Sequence, residues 1–138
     1  MKLTIIVLTI VTILAAACFA KALQDRYATP TVQVSGGEVF DAGSIDGTQP
    51  VTHTFRIVNP NRFVEGISAP QPGCSCTTAT ASASTIPPHG TVDVTLRVDP
   101  ENGNLSGSAS IVTSHAHKTL ETMLLVTGET LKADTVKP

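Results

Sequence analysis

Large aromatic side chains are scarce in this sequence. Its 138 residues contain no tryptophan, one tyrosine and four phenylalanines, so a wide aromatic platform for stacking on bases or sugars is not expected. An excess of positive charge is also lacking, since nine Lys and Arg residues stand against eleven Asp and Glu residues. No basic face is apparent in the sequence, and nucleic acid is therefore not predicted as a partner.

Catalytic constellations are missing as well. Ser82, Ser84 and Ser114 have no Asp–His partner at a motif spacing, which argues against a hydrolase. His89, between a proline and a glycine, is interpreted as a solvated turn residue rather than a ligand. We predict that the protein is not an enzyme, with no catalytic residue and no cofactor.

The first twenty residues form a segment of their own. Lys2 is followed by eighteen residues without a charge, and small residues precede Lys21. This order is typical of a secretory signal peptide cleaved after Ala20. Eighteen apolar residues at about 1.5 Å each are also just long enough to cross a hydrocarbon core of about 30 Å, so an uncleaved anchor stays open. Lipid attachment at Cys18 is a third alternative.

All three alternatives place the remainder of the chain outside the cytoplasm. We expect an exported protein that is periplasmic, extracellular or membrane-anchored and facing outward. Contact with the membrane is expected only through residues 3–20, and only if they are not cleaved. Residues 21–31 are polar and predict a linker, and residues 131–138 predict a flexible tail.

Alternation of apolar and polar residues dominates the region between linker and tail. The segment "TVDVTLRVD" (91–99) places four apolar residues on one face and polar residues on the other. Similar short segments recur with Gly, Pro and Asn at the breaks; they are residues 31–40, 51–58, 63–69, 77–85, 108–114 and 119–128. The pattern predicts an all-β fold, a single seven-stranded antiparallel sandwich of the immunoglobulin type over residues 32–130. The expected core residues are Phe40, Phe55, Ile57, Ile67, Val92, Val94, Leu96, Val98, Ile111 and Leu124.

Four motifs carry a family resemblance. They are "VFDAG" (39–43), "VTHTFRIVNPN" (51–61), "CSCT" (74–77) and "IPPHGTVDVTLRVD" (86–99). Their order and spacing resemble a widespread bacterial domain family of unknown function, number 1573 in that series, over roughly residues 36–130. The resemblance implies an immunoglobulin-like sandwich related to cilium-associated and sperm-protein-like modules, and it implies no activity. The sequence departs from the family pattern at Ser75, where the motif has glycine, and at His89, which separates a proline from its glycine.

Cys74 and Cys76 are one residue apart, and four interpretations of them stay open. They are small packing side chains or free thiols, a disulfide, a metal site, or a redox pair. A disulfide needs a tight turn, which the family's central glycine favours and Ser75 does not. A redox pair lacks a neighbouring cation or helix N-terminus to lower a thiol pKa.

A metal site at the cysteines would need further ligands. His115 and His117 have a matching spacing. However, successive strands run in opposite directions, and following these reversals along the chain places the two histidines at the opposite end of the domain from the cysteines. His53 begins its strand at the cysteine end and points inward, so it is the one histidine candidate. Together with Cys74 and Cys76 it gives three ligands, which is a weak basis for zinc.

The function predicted from these features is that of an exported, non-enzymatic envelope or surface module. Such a small sandwich binds another protein or has a structural role. Residues 77–85 are predicted to be either an edge strand, to which an envelope partner adds a strand, or a mobile loop. The alternative function is a metal- or thiol-handling protein that uses Cys74 and Cys76.

Overall fold

The computed structural model describes residues 1–131, which contain one helix followed by strands. The elements are α1 Lys2–Tyr27, β1 Gln33–Ser35, β2 Val39–Ile45, β3 Val51–Val58, β4 Glu65–Ile67, β5 Gln71–Pro72, β6 Thr77–Ala81, β7 Thr85–Ile86, β8 Thr91–Val98, β9 Asn104–His115 and β10 Lys118–Thr130. The prediction of a tail over residues 131–138 lies, apart from Leu131, outside the described residues.

Two sheets face each other, and the core lies between them. The first sheet has the order β1-β3-β8-β6, and the second has the order β2-β10-β9-β4-β7, with β5 paired to β9. The immunoglobulin-like sandwich predicted from the sequence is confirmed. The prediction of seven strands was wrong, because residues 1–131 form ten strand segments. One strand pair departs from the predicted antiparallel arrangement, because β2 runs parallel to β10.

The parallel pair arises where one predicted strand is divided. Gly36 and Gly37 have φ angles of 86° and 96°, a left-handed conformation that glycine adopts readily. They turn the chain from the first sheet into the second. The predicted strand over residues 31–40 therefore becomes β1, which pairs with β3, and β2, which lies beside β10.

A long hairpin dominates the second sheet. Strands β9 and β10 pair in continuous register from His115 opposite Lys118 to Asn104 opposite Glu129. The strands run beyond the predicted segments 108–114 and 119–128. The start of β9 was not predicted, because the sequence "NLSGS" (104–108) has a low strand propensity. Its Gly107 is nevertheless required, since a Cβ atom there would collide with side chains of the first sheet.

The core prediction is confirmed at nine of ten positions. Phe55, Ile57, Ile67, Val92, Val94, Leu96, Val98, Ile111 and Leu124 are all buried, with exposures of 5% or less. Phe40 is only half-buried and packs against the core, because β2 is the outermost strand of its sheet. Additional buried residues not predicted are Ile86, Leu105, Ala109 and Val126.

Helix α1 extends beyond the predicted leader. It ends at Tyr27, so residues 21–27, which were predicted to belong to a linker, are helical. The reason is local, since there is no glycine or proline before Pro30 to interrupt the helix. The helix is long enough and apolar enough to cross a membrane, with a mean hydropathy of 2.7 over eighteen residues.

Candidate functional site

Strand β6 lies at the edge of the first sheet. It pairs with β8 on one side, and within residues 1–131 no strand pairs with its other side. The Ser82 amide donates to the Asp93 carbonyl at 2.9 Å. This bond shows which residues of β6 direct their main-chain groups towards β8, namely Thr78 and Thr80 in the same alternation as Ser82. Because alternate residues of an antiparallel strand bond across the pair, the N–H and C=O groups of Ala79 and Ala81 point towards the open edge.

An apolar groove of about 450 Å³ opens beside this edge. It lies between β6 and the chain that connects β4 to β5 in the second sheet. Its walls consist largely of small or apolar side chains, including Ala69, Pro70, Ala79, Ala81 and Ala83, and Ile67 contributes as well. The two sheets are therefore not sealed against each other along this side of the sandwich.

The sequence of β6 explains the groove. Threonines at positions 78 and 80 are exposed, and alanines at positions 79 and 81 are half-buried. Packed sheets lie about 10 Å apart, a gap that two methyl groups do not fill. The predicted edge strand is confirmed for residues 77–81, whereas residues 82–84 cross between sheets and Thr85 belongs to β7.

The two cysteines lie in the turn between β5 and β6. A disulfide joins Cys74 to Cys76, and their Cα atoms are 5.2 Å apart. Ser75 is not among the residues with positive φ, so this turn does not require the glycine of the family motif. A Cβ atom on Gly73 would collide with the Ser108 hydroxyl, so glycine at this position permits close approach to β9.

The cysteine turn and the histidine turn lie at opposite ends of the sandwich, as strand parity predicted. Thr77 and Val51 both pair with Val98, which places the cysteines at the beginning of β3. The Ser106 carbonyl lies 3.8 Å from a sulfur of the disulfide. His115 is nine residues further along β9, a separation of about 30 Å at the usual rise of a strand.

His53 points inward, as predicted, but it lies among aromatic rings. Its ring stacks on Phe40 with centroids 3.7 Å apart and meets Phe55 edge-on at 4.7 Å. Burial lowers the pKa of His53 below its ordinary value. In residues 1–131, no group of three or more His, Cys, Asp and Glu side chains could hold a metal ion. The described residues therefore do not bring the candidate ligands Cys74, Cys76 and His53 together as a metal site.

A buried asparagine after β3 was not identified from the sequence. The Asn59 amide nitrogen donates to the carbonyls of Phe63 at 2.8 Å, Ile86 at 3.2 Å and Pro87 at 3.1 Å. Its side-chain oxygen accepts from the Asn61 amide at 2.9 Å. Asn59 thus joins two segments that are distant in sequence. The only signal for it was its place in the "NPN" turn.

A buried carboxylate was also missed. Glu65 is fully buried, and its Oε1 accepts from the Thr31 amide at 3.1 Å and from the Asn61 side chain. Its Oε2 has no partner among the described residues. The sequence did contain a signal for its burial: Glu65 is two residues before Ile67 on β4, so both side chains point to the same, inward face.

The sandwich has an immunoglobulin-like fold, and solved structures of other proteins resemble it. A protein of unknown function from Porphyromonas gingivalis W83 matches with a TM-score of 0.61 at 18% identity, covering 73% of this chain and 47% of that chain. The Vibrio cholerae VesB protease matches with a TM-score of 0.61 at 10% identity, covering 80% and 35%. The PapD-like domain 7 of human CEP192 matches with a TM-score of 0.56 at 10% identity, covering 77% and 89%.

The family is shown by sequence. The model of "Protein of unknown function (DUF1573)" matches residues 35–130, and the chain belongs to this family. The resemblance inferred from the four motifs is thereby confirmed. No match is found among the curated proteins. This chain spans less than half the length of the first two structures named above, and at these identities the likeness concerns the fold alone.

Proposed function

We propose that this protein is an exported, non-enzymatic module of the cell envelope or surface that binds an extended segment of a partner protein along β6. The observation that carries the proposal is the juxtaposition of an open strand edge with an apolar groove. The apolar helix α1, which has the length and hydropathy of a leader or an anchor, supports export.

The edge of β6 has none of the features that usually prevent strand addition. Edge strands are commonly protected by proline, lysine, bulges or a covering element. The sequence of β6, "TTATA", has no charge and no proline. The outward N–H and C=O groups of Ala79 and Ala81 are therefore available for main-chain hydrogen bonds with an incoming strand.

The groove defines the side chains that the partner segment must supply. Alternate residues of an added strand point into the sandwich, where they meet the small side chains of Ala79 and Ala81 and the nearby Ile67. Bulky apolar residues at these alternate positions fill the groove and remove apolar surface from water. The intervening residues lie level with Thr78 and Thr80 on the exposed face and can be polar.

The alternative of metal or thiol handling has less support. The disulfide occupies both Cys74 and Cys76, and thiolates are the species that bind metal and attack disulfides. Cys74 is exposed, but within residues 1–131 no group of three or more His, Cys, Asp and Glu side chains is placed to hold a metal ion. We therefore favour partner binding.

Binding of defined peptides to the full chain tests the proposal. The probes are labelled seven-residue peptides with Ile, Val or Phe at three alternate positions, compared with the same peptides carrying Ser there. We expect the apolar peptides to bind and the Ser peptides not to bind. Ala81→Arg, which places a charged side chain at the groove, should abolish binding.

Thr78→Arg is the matched control, because it adds the same side chain to the exposed face of the same strand. We expect it to bind the apolar peptides like the unmodified chain. Equal binding by both arginine variants, or equal binding of the Ser peptides, would contradict the proposal. Thermal melting of each variant establishes that the sandwich remains folded.

A further inference from the structure

The fold separates the charges of the sandwich between its two ends. We define the basic end as Arg26, Arg62, His115, His117 and Lys118. These residues converge because Phe63 stacks on His115 with centroids 3.7 Å apart and because Lys118 Nζ contacts the Tyr27 carbonyl at 2.6 Å. They come from three separate parts of the sequence, at residues 26, 62 and 115–118, and the fold brings these parts together.

Acidic groups are few at the basic end. Asp25 is exposed on the last turn of α1, and Glu65 is buried beneath the surface. Glu121 lies three residues along β10 from Lys118. Lys21, one turn before Asp25 on the helix, adds a further cation. Positive charge therefore predominates on the exposed surface of this end.

The opposite end carries carboxylates. We define the acidic end as Asp46, Asp99, Glu101 and Glu129, which lie at or just beyond the strand ends there. Glu129 pairs with Asn104, and Glu101 bridges to the same asparagine. Arg97 is the cation nearest to this end among residues 1–131, and it already pairs with Asp99 at 3.7 Å.

Helix α1 joins the sandwich at the basic end through specific contacts. His115 Nε2 lies 2.9 Å from the Asp25 carbonyl, and His115 Nδ1 lies 3.2 Å from the Val64 carbonyl. Lys118 contacts the final carbonyl of the helix, where the helix dipole favours a cation.

If α1 spans a bilayer, its dimensions bring the basic end to the membrane surface. Residues 3–20 are uncharged and span about 27 Å at 1.5 Å per residue, close to the thickness of a hydrocarbon core. Residues 21–27 add about 10 Å, enough to pass through the headgroup layer. Tyr27 is 69% exposed and Val64 is 52% exposed at this level, and tyrosine is enriched at membrane interfaces.

The helix also continues without a break through the predicted cleavage position between Ala20 and Lys21. We propose that α1 is retained as a membrane anchor and that the basic end rests on an anionic lipid surface. Cationic side chains within a Debye length of about 8–10 Å are attracted by anionic headgroups. An orientation with the acidic end at the membrane would bring its carboxylates within that distance of anionic headgroups, where like charges repel, so both charge clusters favour the orientation with the basic end at the surface.

The test uses the full chain in nanodiscs and a single tryptophan as energy-transfer donor. The natural sequence contains no tryptophan, so Thr119→Trp reports the basic end and Asn104→Trp reports the acidic end. The acceptor is a dansyl-labelled headgroup lipid. We expect strong transfer from position 119 and weak transfer from position 104 in phosphatidylglycerol-containing discs, because about 33 Å separates the two levels of the hairpin.

Charge variants provide the decisive comparison. Arg26→Gln, Arg62→Gln and Lys118→Gln together should lower transfer from position 119 by about two-fold in anionic discs and leave it unchanged in neutral phosphatidylcholine discs. A matched variant with Arg56→Gln and Arg97→Gln should leave transfer unchanged in both. Equal transfer from the two reporters, or no dependence on lipid charge, would overturn the proposal. So would an intact mass showing that the chain recovered from its native membrane begins at Lys21.

Discussion

Gly107 on β9 lies directly against Val98 on β8, so the two sheets are in close contact at this position. A Cβ atom built on Gly107 would collide with the Val98 methyl groups and with the Thr77 hydroxyl. The contact connects the long hairpin to the strand that bears the open edge. Strands β6, β8 and β9 are thus packed together at Gly107.

Gly107→Ala should destabilise the sandwich by about 1–3 kcal/mol, because an added methyl group in a packed interior forces neighbouring atoms to move. The free energy of unfolding in urea is the measurement. Ser106→Ala is the matched control, since Ser106 is exposed on the same strand, and it should change stability by less than about 0.5 kcal/mol. An unchanged stability in Gly107→Ala would mean that the sheets are further apart here.

Leu96→Ala tests the assignment of the inward face of β8. Leu96 is fully buried, and truncation of a buried leucine costs about 2–5 kcal/mol. Thr52→Ala, an exposed position of neighbouring β3, should cost less than about 0.5 kcal/mol. Urea unfolding measures both variants. A loss below about 0.5 kcal/mol for Leu96→Ala would show that the alternation had been assigned to the wrong face.

The state of the cysteine pair can be measured by thiol titration of the denatured full chain. Without reductant, only Cys18 should react, because Cys74 and Cys76 are joined. After reduction, all three cysteines should react. Replacing both paired residues by serine should cost no more than about 1.5 kcal/mol, because the closed loop is very short. Three reactive thiols before reduction would contradict the disulfide.

Acidification should destabilise the sandwich through His53. Burial lowers the pKa of His53 in the folded chain below its ordinary value of 6.5, so below pH 6.5 the unfolded chain binds more protons. This contribution to stability is complete above pH 6.5 and is lost as the pH falls towards the folded-state pKa. His53→Phe keeps an aromatic ring between Phe40 and Phe55 and should weaken the loss, whereas His117→Ala should not. Urea unfolding at several pH values measures this, and an identical pH dependence in His53→Phe and the unmodified chain would contradict it.

The sandwich could be predicted from sequence because its signal is local. Side chains alternate between the two faces of a strand, so "TVDVTLRVD" reveals the inward positions of β8 without knowledge of its neighbours. The same reasoning gave nine of the ten expected core residues. It failed at Phe40, whose exposure depends on the edge position of β2 and therefore on the pairing of distant segments.

The features that sequence reasoning missed depend on long-range contacts. Asn59 and Glu65 are polar, and their burial is possible only because Ile86 and Thr31 supply partners from other parts of the chain. The basic end could not be predicted for the same reason. Arg26, Arg62 and Lys118 come from three separate parts of a sequence whose net charge is −2. The groove beside β6 was also missed, because it exists only between two sheets.

Amide exchange of Ala79 and Ala81 is the most direct test of partner binding along β6. Both amides point to the open edge, so in the free chain they should exchange faster than those of Thr80 and Ser82, which bond to β8. Bound to the alternating apolar peptide, the chain should show slowed exchange at Ala79 and Ala81, by NMR, with little change at Thr80 and Ser82. Slow exchange of both alanine amides in the free chain, or no slowing on peptide binding, would contradict the account.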